Sequence, residues 1–170
     1  NALLWDPCLD LVGNFLPNYF VDRNGNPAAE RTGVGALATH LCPSDGVVIY
    51  PEGTRFSAAK RSKILKRMKQ DGHEKLEQAE AMDRVLPPRT GGPIALIQAS
   101  EKSSVVFCAH QGLEPFANIK TLLTKATTNV TVCIHFWRIE RAAIPTCPKE
   151  QRDWIFSFIG ETITKKPVLH

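Results

Sequence analysis

Six consecutive residues, Tyr50-Pro51-Glu52-Gly53-Thr54-Arg55, hold the densest chemistry in this chain of 170 residues. Arg55 offers a guanidinium fork that matches phosphate oxygens and does not lose its charge. Gly53 allows a ligand to approach the backbone closely. Thr54 adds a hydroxyl donor. Glu52 can hold the arginine fork in place or accept from a substrate hydroxyl. The same spacing also fits a plain strand-end turn with a local Glu–Arg pair, and spacing alone leaves both readings open.

The elements around this segment decide what it is presented to. Val47-Val48-Ile49-Tyr50 is an unbroken apolar run, which predicts a strand buried on both faces, as in a parallel sheet. Pro51 stops it, so Glu52 to Arg55 lie just past its C-terminal end, where open α/β sheets bind ligands. Residues 57–82 predict a long charged helix with a possible break at Asp71-Gly72. Ile64, Leu65 and Met68 share one face of it, and Leu76, Ala79 and Met82 extend that stripe. Its first half carries Lys60, Arg61, Lys63, Lys66, Arg67 and Lys69. That run fits either an interfacial helix on anionic lipid or a solvated face whose apolar stripe packs inward. Pro87-Pro88 ends the helix.

Elsewhere the pattern alternates. Asn18 to Val21 predicts a short strand, Asn24-Gly25-Asn26-Pro27 a turn, and residues 28–41 a short helix. Arg89 to Pro93 is a loop, with a helix start from Ile94 to Ser100. Ser104 to Ala109 and Val130 to Trp137 predict strands, the second with Val130, Val132, Ile134 and Phe136 on one face. Pro148 opens a final helix with the pairs Trp154/Phe158 and Ile155/Ile159. The expected fold class is α/β, a mainly parallel sheet flanked by helices.

Composition narrows the partners. The net charge of +4 suits an anionic partner, and the cations are not interleaved with aromatics as nucleic-acid binding favours. The five cysteines, Cys8, Cys42, Cys108, Cys133 and Cys147, include no C-x-x-C pair, and Cys108 and Cys133 sit in apolar runs that predict burial. A reducing compartment is the simplest inference, with no metal implied. Asn129-Val130-Thr131 matches a glycosylation sequon by chance.

Val48 to Phe56 resembles the Φ-Φ-F-P-E-G-T-R signature of the lysophospholipid and glycerol-3-phosphate acyltransferases, with Tyr50 where Phe is usual. Gly13 to Arg23 resembles that family's second motif, and Val85 to Gly92 its L-x-P-R-T-x-G block. The resemblance covers much of residues 12–110 and becomes thin after that. It implies a glycerolipid-acyltransferase-like fold over residues 1–170 as one domain short of its N-terminal part. It implies acyl transfer from acyl-CoA or acyl carrier protein to the free hydroxyl of 1-acylglycerol-3-phosphate or a related lysophospholipid, at the cytoplasmic side of a membrane surface. A lipid-phosphate-binding member without catalysis is the alternative. It further implies that Arg23, Glu52 and Arg55 grip the acceptor phosphate, with Gly53 and Thr54 shaping the loop. Arg89 is a further candidate for the phosphate or the acyl donor, or else a helix-end turn.

The family's catalytic H-x4-D block belongs upstream of its second motif, and the resemblance therefore expects that His and Asp before Asn1. His40 to Asp45 has the spacing but the wrong order, and Pro43 and Gly46 make it a turn. Ser57-Ala58-Ala59-Lys60 matches S-x-x-K, but the accompanying S-D-N and K-T-G are missing.

Overall fold

In the computed structural model, which describes residue 19, residues 26–112 and residues 131–163, the first helix opens on a side-chain cap. Asn26 Oδ1 accepts from the Ala28 amide at 2.9 Å, and Pro27 takes the first helical position, where its missing N–H costs nothing. Helix α1 runs Pro27–Ala36. Apart from Tyr19, the predicted strand at Asn18 to Val21 and the Gly13 to Arg23 block lie outside the described residues, as do Cys8 and most of the sequon.

Two compact units divide the chain. The first comprises Asn1–Gly53 and Arg89–Lys102. In it α1 packs on the helix Gly91–Ala99, and Val34, Ala38 and Ile97 are buried. A Cβ at Gly35 would stand 3.4 Å from the Ala95 carbonyl oxygen, so the two backbones approach closely. Val47 to Tyr50 is neither helix nor strand and pairs with no strand among the described residues. Ile49 turns in against Gly92, while Val48 and Tyr50 are each 81% exposed.

The second unit comprises Thr54–Pro88 and Ser103–His170. Its first helix, α2 (Ala58–Gln70), is capped by Ser57, whose Oγ accepts from the Lys60 amide at 3.3 Å. The S-x-x-K match is thus a helix cap. The other end closes with the paired bonds of a Schellman motif. Gly72 is left-handed at φ +61°, its amide donates to the Lys69 carbonyl at 3.3 Å, and the His73 amide donates to the Met68 carbonyl at 2.9 Å. The break falls where Asp71-Gly72 predicts it. The short helix α3 (Leu76–Glu80) follows, and the Gly91–Ala99 helix of the first unit is α4 in chain order.

Strands β1 (Val105–Gln111) and β2 (Cys133–Ile139) pair antiparallel, with Val105 opposite Ile139 and Gln111 opposite Cys133. A three-residue 3-10 turn, Arg141–Ala143, leads to helix α5 (Pro148–Ser157), which continues as a π-helical turn Phe158–Ile163. Phe107 stacks on Phe158 at 4.0 Å between ring centres and meets Trp154 edge-on at 5.3 Å, so one face of the ribbon is covered by aromatics. The core continues through Met68, Ala79, Met82, Leu86, Ile155 and Ile159.

The expected parallel sheet is not what the described residues form; their only sheet is this two-stranded antiparallel ribbon. The physical reason lies in the faces. A parallel strand is covered on both sides, whereas β1 and β2 cover one face and leave Val106, Ile134 and Phe136 more than half exposed on the other. Val48 and Tyr50 likewise contradict a doubly buried strand. The cysteines depart in the same way: Cys108 is exposed and Cys133 only half-buried.

Candidate functional site

The segment that carries the chemistry is shaped by a turn. The Gly53 amide donates to the Tyr50 carbonyl at 3.0 Å, closing four residues, and Gly53 sits at φ +64°, in the left-handed region that a side chain resists. The Arg89 amide donates to the Pro51 carbonyl at 2.7 Å. The Arg89 side chain then runs over Gly53: a Cβ on Gly53 would stand 3.5 Å from Arg89 Cδ and 3.7 Å from its Nε. Of the two open readings of Arg89, the structure supplies the placement: it is backbone-bonded to the Pro51–Gly53 turn of the first unit and brings its guanidinium there. Glu52 is half-buried in that turn.

Thr54 and Arg55 belong to the second unit and are held from α2. Lys60 Nζ donates to Thr54 Oγ1 at 2.8 Å and to the Arg55 carbonyl at 3.1 Å. A hydroxyl has two acceptor lone pairs and one proton. The ammonium occupies a lone pair, so the Thr54 proton stays available to a ligand acceptor and is turned away from Lys60. Arg55 is exposed. Lys60 was not among the residues the sequence singled out for a role in the loop. Its signal was present: it lies one helical turn past the cap Ser57, on the side from which a lysine reaches back over the preceding loop. Arg23, the remaining expected phosphate contact, lies outside the described residues.

Asp45, His73 and His135 have structural partners. The Asp45 carboxylate accepts from the Cys42 amide at 2.9 Å, and the Asp45 amide donates to the Cys42 carbonyl at 2.9 Å. That turn accounts for Asp45 at His40–Asp45. His73 Nδ1 accepts from the Lys75 amide at 3.1 Å, and His135 packs on Trp137 with ring centres 4.3 Å apart. Among the described residues no group of three His, Cys, Asp or Glu is arranged to hold a metal ion, and no helix is long and apolar enough to cross a membrane.

No family model matches this chain, and neither the curated proteins nor the solved structures include a significant match to it.

Proposed function

We propose that this chain binds the phosphate of a lysophospholipid acceptor and presents its free hydroxyl for acyl transfer from acyl-CoA or acyl carrier protein. The observation that carries the reading is the Tyr50–Gly53 turn. Its sequence resembles the phosphate-gripping signature of the glycerolipid acyltransferases, and its left-handed Gly53 leads directly into Thr54 and Arg55. In this reading Arg23, Glu52 and Arg55 hold the phosphate, Thr54 donates its hydroxyl proton to a phosphate oxygen, and Arg89 adds a further cation. Fixing the phosphate fixes the glycerol, so its hydroxyl is held for attack on the thioester carbon. In that step the hydroxyl oxygen forms the new ester bond, the C–S bond breaks, and the hydroxyl proton passes to a base, which returns it to the departing thiolate. The base is assigned to none of His40, His73, His110 and His135. The acceptor resides at a membrane surface, and the reading includes association with it. A module that binds the lipid phosphate without catalysis is the second reading; it shares every binding contact and lacks thiol release.

Arg55→Ala tests the reading. Loss of a charge-assisted contact predicts weaker lysophosphatidate binding by about 2–3 kcal/mol. Titration calorimetry would measure it, with circular dichroism to verify the fold. A well-folded Arg55→Ala protein that binds as tightly as the parent would sink the phosphate role of this turn. Thiol release from acyl-CoA in the presence of acceptor separates the two readings.

A further inference from the structure

Helix α2 divides its circumference sharply. Met68 is buried and Ile64 and Leu65 are half-buried, so the apolar stripe is turned into the unit. Arg61 also turns inward, where its Nε donates to the Met82 carbonyl and its other guanidinium nitrogen to the Glu80 carbonyl, both at 2.6 Å. The rest of the cations face out. Lys60, Lys63, Lys66, Arg67 and Lys69 are all exposed and, at 3.6 residues per turn, cover roughly half of the helix circumference. Asp71, which pairs with Arg67 at 3.5 Å, is their one recorded counter-charge among the described residues. Lys63, Lys66 and Lys69 have none among those residues.

We propose that this cationic face of α2 docks the protein onto an anionic lipid surface, by charge alone and without insertion of the helix. Three observations select that partner. The apolar stripe is already used inside the unit, which leaves no hydrophobic face to bury among acyl chains. The free cations are mainly lysines, point charges suited to a diffuse layer of headgroups, whereas a defined phosphate is gripped by arginine forks. And no aromatic lies between Ala58 and Gln70 to stack on a base, as a single-stranded nucleic acid would ask. Clusters of four to eight cations on one helix are the pattern that anionic lipid attracts. The geometry also gives the docking a use. Lys60 ties the start of α2 to Thr54 and Arg55, so a docked helix holds those two residues within about one helical turn of the headgroup layer. The docking stands on the charges of α2 and not on the acyl-transfer reading.

The test is co-sedimentation of the full chain with phosphatidylcholine vesicles, with and without phosphatidylserine, in low and high salt. No lysophosphatidate is present, so the result is separate from that of Arg55→Ala. Binding is expected only with phosphatidylserine, and it should be lost at about 0.5 M salt, where screening confines charge attraction to a few ångströms. The variant Lys63→Gln/Lys66→Gln/Lys69→Gln should bind about a hundredfold more weakly, at about fivefold per cation. The corresponding triple change to Arg should bind as the parent does. Equal binding to phosphatidylcholine alone, binding indifferent to salt, or an unchanged Gln variant would each overturn the proposal. So would tighter binding to duplex RNA than to the anionic vesicles at equal phosphate concentration. The lipid and salt arms use the unaltered protein and decide the matter even if a variant fails to fold.

Discussion

At the scale of the residue, Gly53 has the narrowest tolerance. A Cβ there would make ordinary contact with Arg89 at 3.5 Å, so space is not the obstacle. The backbone is, because φ is +64°. Gly53→Ala should cost about 1–2 kcal/mol, and Gly53→Asn less, since Asn visits this region more readily. Urea midpoints of the two variants check the order; equal midpoints for both and the parent would mean that the turn relaxes. The need for glycine was legible in the sequence as a turn just past an apolar run. The ammonium behind Thr54 was not. A cation in a run of six reads as one of a set, and only the fold shows which member reaches back to the loop. Cys108 makes the complementary point: an apolar neighbourhood in sequence says that a residue tolerates burial, and Cys108 is nonetheless exposed.

At the scale of the element, α2 and α3 are joined by more than their shared stripe. Arg61 spans 21 residues to reach the Met82 carbonyl and also holds that of Glu80, both near the open C-terminal end of α3. A five-residue helix has almost no intrinsic stability, so such satisfaction of its last carbonyls matters. Arg61→Ala should destabilise the protein by about 2 kcal/mol, the scale of hydrogen bonds from a charged donor. Alanine is the better helix former, which removes propensity as an explanation for a loss. A urea midpoint at the parent value would mean that water replaces the guanidinium without penalty. Both ends of α2 were readable, from Ser57 and from Asp71-Gly72, because caps are local chemistry. Strand β2 was readable from its alternation. The segment Val47 to Tyr50 was misread because a run of four apolar residues carries no period, and nothing local states what covers it.

At the scale of the whole molecule, distant segments are tied by charge as well as by packing. Lys75 Nζ lies 2.6 Å from Asp153 Oδ1, joining the turn before α3 to helix α5 within the second unit. The hydrogen bond from Lys75 holds the Asp153 carboxyl below its ordinary value against the opposing effect of desolvation, and the charges of Lys75, Lys149 and Arg152 add to the lowering. A depressed folded pKa gives stability that is present above the unfolded value, near pH 4, and is lost as pH falls through the folded one. Asp153→Asn should therefore be less stable than the parent at neutral pH, and the gap should narrow at an acid pH below the ordinary carboxylate value. Denaturation midpoints at the two pH values measure it; a constant gap would assign the loss to packing. Neither this tie nor the pairing of β1 with β2 was available from the sequence, because both join positions far apart along the chain. The division into two units is of the same kind, and it has a consequence for synthesis. The chain passes between the units three times, after Gly53, after Pro88 and after Lys102. A ribosome therefore cannot complete one unit before beginning the other. The first unit waits for Arg89 to Lys102 with Thr54 to Pro88 already made, and that stretch in turn waits for β1, β2 and α5, so the usual N-terminal-first order of folding during translation requires the first unit to close while an unfinished piece of the second hangs from it.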